Sequence, residues 1–288
     1  MARQVKSYLT RTAFFNDLVT FLIAAGWTND GAPAATILKS AADTEGRRCY
    51  VLLSENGTYG SLIDCELGNS RNGDTVETVS ASVPTNKAIK WETGKAIFLY
   101  ATDRMVAIKM IGASTDYVHS LFGILECPVN AATYPAPLIY AFAKNKSDAN
   151  VIVNMDRYGS SSNIFVMNAA GDTWRWCSLM PMVCETVGTL TRGLWNYMEG
   201  NLLGNPRGLG PAFLAYQPWW VCNYDELYIV GYMKDVYLVH NYAPGGARVT
   251  DMPVIIGTKL YYSISDYAVF TIGGIEEGAA LFFPGGTY

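Results

Sequence analysis

The chain has 288 residues, 50% of them hydrophobic and 16% charged, with a formal charge of −4. That is enough apolar material to bury the core of one large or two modest domains, and it excludes a disordered or collagen-like chain. The 21 Lys and Arg set against 25 Asp and Glu provide no broad positive field for a nucleic-acid backbone or an anionic membrane, so neither is expected as a partner.

The opening Met1-Ala2-Arg3-Gln4-Val5-Lys6-Ser7 runs into an apolar stretch interrupted by Arg11, Asn16 and Asp17. This is not the continuous apolar segment of a signal peptide, and export by that route is not expected. Residues 18–27, broken by Thr20, form the longest apolar stretch; it is about half the length that spans a bilayer, so no transmembrane helix is expected. Over 10–25, Phe14, Leu18 and Leu22 recur every four residues, flanked by Phe15, Val19 and Ile23. The spacing predicts a helix with one broad apolar stripe, stopped by Gly26. That stripe could pack on a sheet of its own chain or on a neighbouring subunit, which makes Phe14, Leu18 and Leu22 candidate interface residues.

Past Trp27 the helical period gives way to short β-type runs. Cys49-Tyr50-Val51-Leu52-Leu53 and Ser61-Leu62-Ile63-Asp64 flank Asn56-Gly57, a dipeptide suited to the left-handed dihedrals of a tight turn, and predict a hairpin. Lys95-Ala96-Ile97-Phe98-Leu99-Tyr100 and Met105-Val106-Ala107-Ile108-Lys109-Met110 predict a second about Thr102-Asp103-Arg104. Ile164-Phe165-Val166-Met167 and Trp174-Arg175-Trp176 predict a third about Gly171-Asp172. Leu260-Tyr261-Tyr262-Ser263-Ile264 and Ala268-Val269-Phe270-Thr271-Ile272 predict a fourth about Ser265-Asp266. They do not align as strict repeats, so no solenoid or propeller is expected. Residues 200–218, rich in Gly and Pro, read as an extended loop or arm ordered by a partner. The expected architecture is mainly β (α+β), with packed antiparallel sheets built from hairpins and one N-terminal amphipathic helix. The chain reads as a single β-rich unit over 1–288, with a weak candidate boundary near the polar stretch 143–150.

The residues that carry chemistry are sparse. His119 and His240 are the only histidines, and no two of the six cysteines lie within two residues of each other, so no zinc site is expected. Cys49, Cys65, Cys127, Cys177, Cys184 and Cys222 sit mostly among Tyr, Leu, Trp and Val, which fits buried free thiols in a reducing compartment, while the even count would also permit disulfides. Gly94-Lys95 is followed by Ala96, and Gly208-Leu209-Gly210 lacks a third glycine, so neither phosphate cradle is complete. Asp225-Glu226 and Glu276-Glu277 are adjacent pairs that a strand would point to opposite faces. No catalytic, metal or cofactor residues are assigned, and a non-enzymatic role is expected.

The aromatic residues offer a surface instead. Trp174, Trp176, Trp195, Trp219 and Trp220, with Tyr216 and Tyr224, could supply core, subunit interface or a platform for sugar rings. Aromatic enrichment with few charges, closing on Phe282 and Phe283 in an apolar C-terminal run, is the compositional mark of interface cores. The candidate interface is therefore Phe14, Leu18, Leu22, Trp174, Trp176, Trp195, Trp219, Trp220, Phe282 and Phe283.

A resemblance accompanies these features. Ala24-Ala25-Gly26-Trp27-Thr28, then Ala96-Ile97-Phe98-Leu99-Tyr100-Ala101, Met105-Val106-Ala107-Ile108-Lys109, Asp116-Tyr117-Val118-His119, Phe122-Gly123 and Tyr134-Pro135-Ala136-Pro137-Leu138 form a pattern of aromatic strands and turns. It resembles virion structural proteins of tailed bacteriophages and covers about the first half of the chain. The resemblance implies a tail, baseplate or neck component, assembled in the host cytoplasm in symmetric copies, whose partners are other virion proteins and copies of itself. A glycan-binding or host-recognition module on a tail tip or fibre, with Trp219 and Trp220 as stacking residues, is the alternative.

Overall fold

A computed structural model of the chain describes residues 2–31, 35–77, 87–111, 117–142, 144–145, 164–179, 183–186, 189–191, 214–216, 219–222, 228–240, 253–263, 270–272, 275–277 and 279–287. Strand β1 (Ala2–Ser7) leads into the helix α1 (Arg11–Ala24). Thr10 caps the helix from an extended conformation, its hydroxyl accepting the Ala13 N–H at 3.2 Å, which satisfies one of the orphan donors of the first turn. Gly26 ends it with φ +104. Phe14, Leu18, Phe21 and Leu22 are buried and Phe15 and Val19 pack partly against the same core. Ile23 stays outside, 46% exposed, so the stripe is narrower than the sequence pattern implies.

Asp17 ties α1 to β1. Its Oδ2 accepts from Tyr8 Oη at 2.5 Å, from Lys6 Nζ at 3.2 Å and from Gln4 Nε2. Partial burial pushes the Asp17 carboxyl upward, but the hydrogen bonds from Tyr8, Lys6 and Gln4 outweigh it and hold the group below its ordinary value. A carboxyl lowered by folding adds stability above its unfolded value, and that contribution is lost as pH falls through the folded value. Asp17→Asn should therefore lower the urea midpoint at neutral pH, with the gap to wild type closing towards about pH 3. A gap that stays constant with pH would assign the effect to packing instead.

The remaining strands of the first part are β2 (Thr28–Asn29), β3 (Thr36–Lys39), β4 (Tyr50–Glu55), β5 (Leu62–Gly68), β6 (Ser70–Asn72), β7 (Thr75–Glu77), β8 (Lys87–Lys90), β9 (Ala96–Ala101), β10 (Met105–Ile111), β11 (Tyr117–Ile124), β12 (Leu138–Phe142), β13 (Lys144–Asn145), β14 (Ile164–Met167) and β15 (Trp174–Leu179). Among the described residues, one sheet has the order β13-β8-β5-β4-β3-β2. A second runs β1-β9-β10-β11-β12-β14-β15 and continues through Trp219–Cys222 to Tyr228–Tyr232, and β6 pairs with β7 in a separate ribbon. All their pairings are antiparallel.

Between the two sheets lies one core. Leu38, Val51, Leu53, Ile63 and Ile89 of the smaller sheet meet Ile97, Leu99, Val106, Ile108 and Phe122 of the larger, and the buried face of α1 with Trp27 belongs to the same cluster. Trp27 Nε1 donates to the Thr102 carbonyl at 2.9 Å, so the indole brings its polar atom into the core already satisfied. Residues of opposite parity, Tyr100, Met105, Ala107, Leu121 and Ile139, form a second core with Val230, Met233, Val236 and Phe283. The larger sheet is thus covered on both faces, which is why β9 reads as an unbroken apolar run, and β10 as one interrupted only by Lys109, rather than as alternation.

Three predicted hairpins form: β4 with β5, β9 with β10 and β14 with β15. The first does not turn on left-handed dihedrals at Asn56-Gly57. Instead Asn56 Oδ1 accepts the N–H groups of Thr58 and Tyr59 at 2.8 and 2.6 Å, a side-chain mimic of a backbone turn. The fourth prediction is corrected. Lys259–Ser263 pairs with Pro253–Ile256 across the two-residue turn Gly257-Thr258 and, on its other edge, with Ala279–Thr287, while Phe270–Ile272 pairs with Ile275–Glu277. Within the proposed arm 200–218, Leu214–Tyr216 is a strand paired with Tyr237–His240, and the rest lies outside the described residues. Strands on either side of 143–150 are neighbours, since β14 pairs with β12.

Candidate functional site

Among the described residues, a dense polar cluster is buried where the β3–β4 and β9–β10 loops meet the segment after β11. Asp43 Oδ1 accepts the N–H groups of Glu45 and Arg47, both at 2.9 Å, so the loop winds round its own carboxylate. Arg47 Nε donates to Asp43 Oδ2 at 2.6 Å. Its Nη1 donates to the carbonyls of Val129 at 2.8 Å and Tyr134 at 2.6 Å, and its Nη2 to that of Cys127 at 2.7 Å. The two side chains are only 4% and 0% exposed. Beside them Arg104 Nη1 donates to Glu126 Oε2. Glu126 Oε1 accepts the Thr44 N–H at 2.9 Å and the Thr44 hydroxyl at 2.6 Å.

Every carboxylate oxygen of Asp43 and Glu126 therefore accepts within the cluster, and each charge has its opposite in contact. That is the arrangement in which buried charge is tolerated. It fixes geometry: the guanidinium of Arg47 holds three carbonyls of the 127–134 segment at set directions, as a planar fork does and an ammonium does not. The main chain of Glu126 exchanges hydrogen bonds of 2.8 and 3.0 Å with Tyr232, so the cluster also reaches the far end of the larger sheet. Lys109 adds a buried cation on β10, 2% exposed with Nζ 4.9 Å from the Phe98 ring centroid, within cation–π range.

The candidate interface residues separate into groups. Phe14, Leu18, Leu22 and Phe283 are each 0% exposed and serve the chain's own core, which corrects their assignment to a subunit contact. Trp174 is half-buried, edge-on to Tyr140 at 4.7 Å, and Tyr140 stacks on Phe165 at 5.2 Å. Trp176 stands opposite Phe165, Trp219 opposite Tyr232, and Trp220 opposite Leu179 and Gly231. Phe282 lies in register with Tyr237 and Ser263. Trp195 falls outside the described residues.

Among the described residues, the outward apolar side chains are others: Leu9 at 82%, Ile255 at 56%, Ile23 at 46%, Tyr59 at 44% and Val5 at 42% exposure. Sequence reasoning named Ile23 as a flank of the helical stripe and passed over the others as outward side chains, as it passed over the cluster of Asp43, Arg47, Arg104 and Glu126. The one local signal was the Asp43-to-Arg47 spacing in a short loop. His119 stands in β11 opposite Lys109, and His240 opposite Leu214 and Ala279. Among the described residues, no three His, Cys, Asp or Glu gather as a metal site, and no helix is long and apolar enough to cross a membrane.

No known protein family matches the chain, and no characterised protein matches it in sequence. The fold itself defines a class: a mainly β protein of antiparallel sheets, with one helix among the described residues.

Proposed function

We propose that the chain is a non-enzymatic structural subunit of a tailed-bacteriophage virion, a tail, baseplate or neck component assembled in symmetric copies in the host cytoplasm. Its partners are other virion proteins and further copies of itself. The observation that carries the reading is the strand-and-turn likeness of the first half. Its segments at β9, β10, β11 and the start of β12 are consecutive strands of one sheet, while its first segment, 24–28, spans the end of α1 and the start of β2. Tight polar ties around that sheet and apolar side chains left outward at Leu9, Val5 and Ile23 suit a rigid body that meets neighbours through its edges.

The glycan-binding alternative draws less support. Trp219 and Trp220 are consecutive residues of one strand, and consecutive strand positions alternate between the two faces of a sheet. Immunogold electron microscopy of purified particles from a lysate of the source, with antibody to this chain, tests the proposal. Gold at a fixed place on tailed particles is expected. Particles that stay unlabelled after partial disruption, with all the protein in the soluble fraction, would overturn it.

A further inference from the structure

Strand β15 and Trp219–Cys222 pair antiparallel with Cys177 opposite Cys222, Ser178 opposite Val221 and Leu179 opposite Trp220. Directly opposed residues of an antiparallel pair share one face of the sheet, with Cα atoms about 4.5–5.5 Å apart. A disulfide accommodates Cα separations of about 4.4–6.8 Å. The other cysteines lack such a placement. Cys49, Cys65 and Cys127 are buried and outside any disulfide, and burial pushes the Cys49 thiol well up, away from the thiolate that exchange chemistry needs. Cys184 lies in a separate ribbon opposite Leu190.

We propose that Cys177 and Cys222 are a redox pair that closes into a cross-strand disulfide in the presence of a small-molecule disulfide and reopens with a dithiol reductant. The thiolate of one cysteine attacks a sulfur of the oxidant, forms a mixed disulfide and expels one small thiolate. The thiolate of the second cysteine then attacks the protein sulfur of that mixed disulfide and expels the other. In sum the two protein thiols lose two electrons and two protons, and the oxidant becomes two thiols.

The bond would clamp the Trp219–Cys222 end of the larger sheet to β15 and close a loop over residues 178–221. That loop includes the Gly- and Pro-rich segment, whose freedom in the unfolded chain it would restrict. Because β15 is joined through β14 to the doubly covered part of the sheet, the staple would fasten the outlying strands to its rigid centre. The inference stands independently of the virion reading, since it rests on strand register alone.

The test uses the full folded chain, equilibrated with glutathione disulfide, alkylated with iodoacetamide and cleaved with cyanogen bromide. Met180 and Met182 lie between Cys177 and Cys184, and Met198 lies between Cys184 and Cys222, so each of the three falls on its own fragment. The expected product is a linked pair of fragments carrying Cys177 and Cys222, two hydrogens lighter than their sum and separated by dithiothreitol. Free thiols in the denatured chain should fall by two from the six present. The link should be absent from both Cys177→Ser and Cys222→Ser. Recovery of Cys177 and Cys222 on unlinked fragments, alkylated or each bound to glutathione, would overturn the proposal. So would a link from Cys177 to Cys184.

Discussion

Arg47→Ala should destabilise the fold by about 3–5 kcal/mol, the scale set by removing one partner of a buried ion pair. The guanidinium makes four hydrogen bonds, to the Asp43 carboxylate and to the carbonyls of Cys127, Val129 and Tyr134. Truncation leaves a carboxylate with a side chain 0% exposed facing three orphaned carbonyls, so lost attraction is replaced by repulsion among acceptors. Arg47→Lys restores the charge but not the fork, and should recover only part of the loss. Arg71→Ala, which removes a more exposed ion pair with Asp30, should cost less than about 1 kcal/mol. Urea unfolding of the three variants gives the comparison. An Arg47→Ala chain within about 1 kcal/mol of wild type would mean that the loop opens to let water reach Asp43, and that the cluster does not hold the 127–134 segment.

What was legible in the sequence was local. Helix α1 could be read because its four-residue apolar recurrence and its stop at Gly26 lie within one short stretch. Three hairpins could be read because their partners sit either side of a turn. The fourth failed through competition between two turns. Ser265-Asp266 looked like the reversal, whereas Gly257-Thr258 makes it, and the other edge of Lys259–Ser263 is taken by the distant Ala279–Thr287. Apolar stripes show that a face is covered but not what covers it, so Phe14, Leu18 and Leu22 fitted an interface as well as a core. The polar cluster was illegible for a related reason. Arg47 meets carbonyl groups 80 to 87 residues further along the chain, and a backbone acceptor leaves no mark in the amino-acid code. The Cys177–Cys222 placement is equally non-local, being set by sheet order rather than by spacing.

Gly123→Ala should lose about 2–6 kcal/mol, an overpacking cost of about 1–3 added to a backbone cost of about 1–3. Gly123 lies in β11 opposite Met105, with φ +153, and a Cβ there would stand 2.2 Å from the Arg104 carbonyl oxygen, 2.7 Å from Met105 Sδ and 2.9 Å from Met105 Cα. Sδ can swing aside, but the main-chain atoms cannot. The Arg104 carbonyl accepts the Ile124 N–H at 3.1 Å, and Met105 is 0% exposed in the second core. Relief would have to come from spreading β10 from β11, beside the Arg104–Glu126 pair, so the strain would pass into the ionic cluster as well as the sheet. Gly46→Ala is the discriminating control. It too has positive φ, +83, but nothing lies within 4 Å of its added carbon, so it bears the dihedral cost alone, about 1 kcal/mol. A thermal and urea comparison should therefore show Gly123→Ala several-fold worse than Gly46→Ala. Equal losses would mean that backbone conformation, and not the close passage of β10, is what requires glycine at position 123.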